Sequence, residues 1–284
     1  MILFDTHVHL YHLQYLNRLL HSAHTNFKTT AKVLDSSKPY HGALCLTQTA
    51  KSLSFTQLMD IAYNKAAVHE DFGDWQVDMT KEKVSLAMRA SVETADPDTV
   101  FLIGGQQIVS REKLEILAIA NQVLISDSLS LQETLFAIDE SDGIPIIPWG
   151  MGKWFGRRGK IVKKLIKMEP KVPFFLGDNS ARPKCWPYVH LFHAARKKKI
   201  EILNGSDPLN FNSELVKPGS FGVAFPDAHL DPQRPAEKIK QLLLDRQQFK
   251  RNYGTPQPFR SFASSQLKLN LMRLRRETTS RHIL

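Results

Sequence analysis

The chain reads as an α/β protein built on a mostly parallel sheet, either open or closed into a barrel. Three observations lead there. Short apolar runs of strand length alternate with helix-length segments along most of the sequence. Polar and glycine-rich groups follow the ends of those runs, where parallel α/β folds keep their functional loops. The 284 residues, 42% of them hydrophobic, suffice for one core of barrel size, which typically takes about 250 residues.

The elements follow in order. Met1-Ile2-Leu3-Phe4 is an apolar run that passes into Asp5-Thr6-His7-Val8-His9-Leu10, and a strand is expected over 1–10. Further strands are expected at 42–47, 99–103, 123–126, 144–149, 172–176 and 199–203. Helical patterns lie between them, at 53–64, 80–91, 111–119, 129–140, 157–168 and 187–198. Ser110 and Ser128 each precede a helical pattern and are expected to act as N-caps. Tyr253-Gly-Thr-Pro-Gln-Pro-Phe259 is a turn-rich break. It divides a barrel domain, 1–260, from a basic C-terminal tail, 261–284, in which Leu267, Leu271 and Leu274 share one helical face.

Composition narrows the setting. Cys45 and Cys185 are the only cysteines, too few for a disulfide framework or a thiolate metal site. No stretch approaches the roughly 18 apolar residues of a membrane span, and the apolar start is too short for a secretory signal. A reducing, cytoplasmic location is expected. The net charge of +10 suggests nucleic acid until it is located: residues 245–284 carry nine Lys or Arg against two acids, and so +7 of the total. The body is ordinary in charge. The expected partners are a small anionic substrate and, for the tail, an acidic surface or protein, which would place the chain at a membrane periphery; no specific nucleic acid is expected.

The chemistry-bearing residues sit at strand ends. Strand side chains alternate, so Asp5, His7 and His9 are expected on one face, with the two imidazoles about 7 Å apart along it and able to converge on one ion. Imidazole suits Zn, Mn and Fe. Asp178 and Asp207 each follow a short apolar run and a glycine, and each is a candidate catalytic carboxylate, Asp207 also a metal ligand; either could instead cap the element that follows. Gly150, Gly152, Gly156 and Gly159 surround Lys153, Arg157, Arg158 and Lys160 just before a helical segment. Such a loop offers N–H groups to an anion, and arginines add bidentate recognition. Lys153, Arg157, Arg158 and Arg182 are therefore the expected substrate-binding residues. The spacing is not that of a Walker loop.

In this order the motifs resemble the PHP family (polymerase and histidinol phosphatase), over about residues 1–210. Asp5-Thr6-His7-Val8-His9 matches that family's opening Asp-x-His-x-His, and Gly205-Ser206-Asp207 its closing Gly-Ser-Asp. The resemblance implies a distorted (β/α)7 TIM-like barrel and a metal-dependent phosphoesterase. The chain departs from the pattern in between. Gln48 and Thr49 stand in place of an Asp-His pair, Gln107 in place of a glutamate, and Pro148-Trp149 where a histidine is usual. His7, His9 and Asp207 keep good ligand chemistry, with Asp178 as a fourth, and this suits one ion rather than three.

The expected function is a metal-dependent hydrolase of a phosphoester or other anionic substrate, using a divalent Zn, Mn or Fe ion. The alternatives are a catalytically degenerate barrel that binds an anionic ligand or partner, and an amidohydrolase-type C–N hydrolase.

Overall fold

The computed structural model describes residues 1–35, 37–64, 72–91, 99–121, 123–168 and 171–281, with side chains described as far as Asn270. Its strands are β1 (Ile2–Val8), β2 (His41–Gln48), β3 (Trp75–Met79), β4 (Ser85–Ala90), β5 (Thr99–Val109), β6 (Glu115–Ile119), β7 (Ile144–Pro148), β8 (Phe175–Asn179), β9 (Ile202–Gly205), β10 (Gly222–Phe225) and β11 (Arg251–Tyr253). Its helices are α1 (Leu16–Asp35), α2 (Ser54–Tyr63), α3 (Leu131–Glu140), α4 (Gly156–Met168), α5 (His190–Lys197), α6 (Pro235–Leu244) and α7 (Phe259–Arg281). Among the described residues, no helix is long and apolar enough to cross a membrane.

Nine strands follow one path, β11-β10-β1-β2-β5-β6-β7-β8-β9, and the hairpin β3–β4 hangs on β5. The path bends into a nearly closed, distorted TIM-like barrel. β1, β2 and β5 run parallel, as do β7, β8 and β9, whereas β6 runs antiparallel to both its neighbours. The closing seam is made by single bonds. Asp207 N–H donates to the His7 carbonyl (2.8 Å), and Thr6 Oγ1–H donates to the Asn204 carbonyl (3.0 Å). At the far edge, the Asn252 amide donates to the Ile202 carbonyl (2.8 Å) and accepts from Asn204 N–H (3.1 Å), standing in for a strand partner.

Three apolar clusters fix this shape. The barrel interior is filled by Ile2, Phe4, Phe101, Ile103, Ile146, Phe175 and Phe225, and Ile239, Leu242 and Leu243 of α6 pack into the same cluster. On the outside, Leu16, Leu19, Leu20 and Phe27 of α1 cover Leu3 and Val8. Leu135 of α3, Val162 of α4 and Phe192 of α5 cover the β6–β9 side. Burying each such side chain contributes roughly 1.5–3 kcal/mol before chain entropy is charged.

Several sequence expectations need correction. The helix expected at 80–91 is instead largely β4, and that at 111–119 is the turn into β6 and β6 itself. Ile116, Leu117, Ala118 and Ile119 are all buried, and an apolar run covered on both faces has no period to read. No strand forms at 123–126. There Gln106 donates to the Ile125 carbonyl (2.6 Å) and accepts from Ile125 N–H (2.8 Å), so a side chain satisfies the backbone that a ladder would have paired. Ser110 and Ser128 are not helix caps. Ser110 closes the β5–β6 turn, and α3 is capped by Ser130, reciprocally with Glu133. The strands expected at 172–176 and 199–203 begin three residues later. Pro173 lacks a ladder donor, and Lys199 sits in a left-handed turn (φ 57°) that ends α5. No element is expected from the sequence at α1, β3, α6, β10 or β11.

The expected boundary at residue 260 falls inside the first turn of α7. That helix touches the body: Ser265 is buried beside Glu214 and Lys268 lies over the Phe211 ring (5.8 Å). Leu267 is exposed, and the side chains of Leu271 and Leu274 lie outside the described residues.

Candidate metal centre

The centre begins with a counting device in β1. Ile2 and Phe4 point into the barrel, and Leu3 and Val8 point out toward α1. Strict alternation would then send His7 and His9 outward. Between Asp5 and Val8, however, β1 advances three residues while β2 advances two, from Leu44 to Leu46. This bulge inverts the parity, and both imidazoles join the interior set. The expectation that Asp5 shares their face is therefore corrected. Asp5 points away, fully buried, and accepts N–H bonds from Ser206 (2.8 Å), Gly219 (2.8 Å) and His7 (3.3 Å). Burial pushes its carboxyl up to about 7, against the pull of those donors.

Asp207 arrives from the other side of the seam. Gly205 lets β9 approach β1 closely, since a Cβ there would lie 2.5 Å from His7 Cβ. Asp207 itself sits at φ 46°, a left-handed conformation that Asp tolerates better than most residues. Its carboxylate is thereby returned to the mouth, where it accepts a hydrogen bond from Asn179 Nδ2 (3.1 Å).

The three side chains converge. His7 Nε2 lies 3.0 Å from His9 Nε2, and Asp207 Oδ1 lies 3.5 Å and 3.7 Å from them. Among the described residues this is a group that could hold an ion, with all ligand atoms within 4.8 Å of one another. A tetrahedral ion with bonds of about 2.0–2.1 Å spaces its donors about 3.3 Å apart, so the donor set fits one ion in size and in chemistry.

Charge state agrees with that fit. Burial holds His7 down at about 4, so its imidazole is neutral near pH 7. For Asp207, burial pushes upward, but His7, Lys153, His9 and Lys217 together outweigh it and hold the carboxyl at about 2. Neutral imidazole and ionised carboxylate are the forms that bind metal.

A surrounding shell orients these groups. Thr47 Oγ1 is 3.5 Å from His9 Nδ1, and Gln107 Oε1 is 3.2 Å from His9 Nε2. Asn179 also donates to the Trp149 carbonyl (2.9 Å). Tyr11 stacks obliquely beside His9 (5.5 Å between centroids), and its phenol is pushed up by burial, then by Asp207, Glu115 and Glu214. Sequence reasoning passed over Tyr11, Asn179 and Glu115. Tyr11 continues the His7, His9 alternation and Asn179 adjoins Asp178, so both left a signal. Glu115 left none once its strand had been read as a helix.

The cationic residues are only partly gathered here. Lys153 reaches the mouth, where it pairs with Glu115 and its charge acts on His7 and Asp207. Arg158 holds the loop instead, donating to the carbonyls of Gly152 (2.8 Å) and Lys113 (3.3 Å). Arg157 is exposed and has no partner among the described residues. Arg182 and Asp178 engage each other, with guanidinium-to-carboxylate distances of 2.7–3.1 Å, and Arg182 also donates to the Trp186 carbonyl (2.8 Å). Gln48 faces away and accepts from Thr56.

No family model and no curated protein sequence matches the chain. Its fold is similar to the crystal structure of PsfC from Pseudomonas syringae PB-5123, at 14% identity and a TM-score of 0.59 over 95% of this chain and 98% of that one. Weaker similarity, at TM-scores of 0.45 and 0.43, extends to two endonuclease Q structures. One is the lesion-specific enzyme from Pyrococcus furiosus (11% identity, 88% of this chain); the other is a complex with a 27-mer duplex substrate carrying an abasic lesion at the active site (12%, 85%). The chain spans a little over half of those two chains, 57% and 55%. The duplex complex overturns the expectation that excluded a specific nucleic acid: that exclusion rested on where the charge lies in the sequence, and it is withdrawn.

Proposed function

We propose that the chain is a metal-dependent hydrolase of phosphoesters, with one divalent ion held by His7, His9 and Asp207. The convergence of those three donors at the open end of the barrel carries the reading. A divalent ion held by these residues would supply Lewis acidity toward a phosphoryl oxygen and a bound water.

The chain's own groups supply the rest. Asp207, held ionised and steadied by Asn179, is the proton acceptor nearest the imidazoles. Lys153, turned from Glu115 toward a substrate, and Arg157, unpaired among the described residues, bring positive charge to the anion. Asp178 and Arg182, locked together, hold the loop after β8 in place; in this reading they position rather than react. Buried Trp149 forms part of the wall and keeps water from that side.

A second reading has its own observation. At 3.0 Å, His7 Nε2 and His9 Nε2 are within hydrogen-bond distance, so the two rings can satisfy each other with no ion. That is what a degenerate barrel binding an anion without turnover would show. Metal analysis of protein purified without a His tag, followed by assay of bis(p-nitrophenyl) phosphate with added Mn or Zn, separates the two. Metal near one equivalent and metal-dependent turnover support the hydrolase. Turnover absent under every ion, with no bound metal, refutes it.

A further inference from the structure

We infer that the open face of the Phe155–Trp186 ring pair is a subsite for the base of a nucleotide whose phosphate sits at the barrel mouth; this deepens, and rests on, the phosphoester reading above. Phe155 lies in the loop after β7 and Trp186 in the loop after β8, two neighbouring loops at the mouth. Their rings are stacked, with centroids 5.9 Å apart and an interplanar angle of 24°. Phe155 is nonetheless 54% exposed, so the pair turns an aromatic face to solvent.

A single exposed phenylalanine needs no explanation. This one differs in what stands behind it. Trp186 is braced edge-on by buried Trp149, at 6.3 Å and 67°. The Trp149 carbonyl accepts from Asn179 Nδ2, and the same nitrogen donates to Asp207 Oδ2. The ring pair is thus tied through two residues, Trp149 and Asn179, to a donor of the candidate metal centre. A platform joined in this way holds a ligand at a fixed offset from the reacting end.

The charges beside it specify what kind of ligand. Lys153 precedes Phe155 by two residues and acts electrostatically on His7 and Asp207; Arg157 follows by two and is exposed. A planar surface with a cation two residues to either side along the chain suits a molecule with a flat ring and a phosphate. Bases stack on such aromatic faces with little sequence preference, while the cations hold the phosphate. A free nucleotide and a nucleotide within a single strand present the same chemistry.

Isothermal titration in EDTA tests this without calling on catalysis. The probes are adenosine 5′-monophosphate, ribose 5-phosphate and a short single-stranded DNA, on wild type, Phe155→Ala and Phe155→Tyr. The expected result is that the nucleotide binds more tightly than the sugar phosphate. Phe155→Ala then loses about tenfold, or 1.4 kcal/mol, for the nucleotide but not for ribose 5-phosphate, and Phe155→Tyr restores it. The single strand binding more tightly than the mononucleotide identifies the strand as the source; equal affinity identifies the free nucleotide. A nucleotide that binds no better than ribose 5-phosphate, or equally to wild type and Phe155→Ala, overturns the subsite. Absence of metal-dependent cleavage with base-dependent binding intact removes the catalytic reading and leaves the subsite standing.

Discussion

Replacing Gly205 by alanine probes the seam on which the whole centre depends. The added Cβ would lie 2.5 Å from His7 Cβ, 2.7 Å from His7 N and 2.9 Å from Thr6 Oγ1, where ordinary contacts begin near 3.4 Å. The nearest obstacles belong to the backbone and Cβ of β1, so no side chain can simply swing aside. β1 and β9 must part by roughly 1 Å, an overpacking strain of about 1–3 kcal/mol. The same movement stretches the bonds from Asp207 N–H to His7 O, from Thr6 Oγ1 to Asn204 O and from Ser206 N–H to Asp5. At roughly 1 kcal/mol each, their weakening brings the expected loss to about 2–5 kcal/mol. A domain with about 5–15 kcal/mol of stability stays folded under that load. The centre suffers more than the fold, because His7 and Asp207 stand on opposite sides of the seam. Urea unfolding should show a lower midpoint, and competition with a chelator should show zinc affinity down tenfold or more. Gly42→Ala is the control: its Cβ would strike the Phe27 ring at 2.2 Å, on the α1 side, so it should lower stability and leave zinc binding unchanged. If Gly205→Ala matches wild type in both measurements, the close seam does not position the ligands and the reasoning fails.

Three other outcomes are expected. His7→Ala should reduce bound metal by an order of magnitude or more, measured by elemental analysis after incubation with Zn or Mn; equal content in both proteins would remove His7 from the donor set. Gln106→Ala leaves the Ile125 N–H and carbonyl unpaired in a buried setting, and should cost about 1–3 kcal/mol in denaturant unfolding while sparing metal binding. Ser130→Ala removes one half of the α3 capping box and should cost about 1 kcal/mol, seen as a small drop in thermal midpoint.

Much of the centre was legible because each of its donors stands in a short local motif. His7 and His9 lie two apart, within β1 and just past its end, and Asp207 follows Gly205-Ser206 at another strand's end. Their meeting needs the barrel, which the strand and helix rhythm suggests, and also the bulge in β1 that turns both imidazoles inward. The bulge was not legible. It depends on how β1 meets β2, and no residue between Phe4 and His7 announces an extra step. The two misread helices failed for a related reason. Leu86-Ala-Met88 and Ile116-Leu-Ala118 contain good helix formers, and pairing with β3, β5 and β7 overrode that preference. The cation cluster looked uniform in sequence, yet its members divide: Lys153 turns to the mouth, Arg158 to backbone carbonyls and Arg157 to solvent.

The extra step in β1 makes chain length, more than residue type, the quantity under constraint there. Below the step the even positions, Ile2 and Phe4, face inward; above it the odd ones, His7 and His9, do. Two alternations of opposite phase meet within one strand. Removing or adding a single residue between Phe4 and His7 would exchange them: both imidazoles would enter the oily layer under α1, and Val8 and Leu10 would line the mouth. No point substitution can do this, since each leaves the phase intact. A strand of this kind can drift in composition while remaining rigid in its count, and the three residues from Asp5 to His7 act as its spacer.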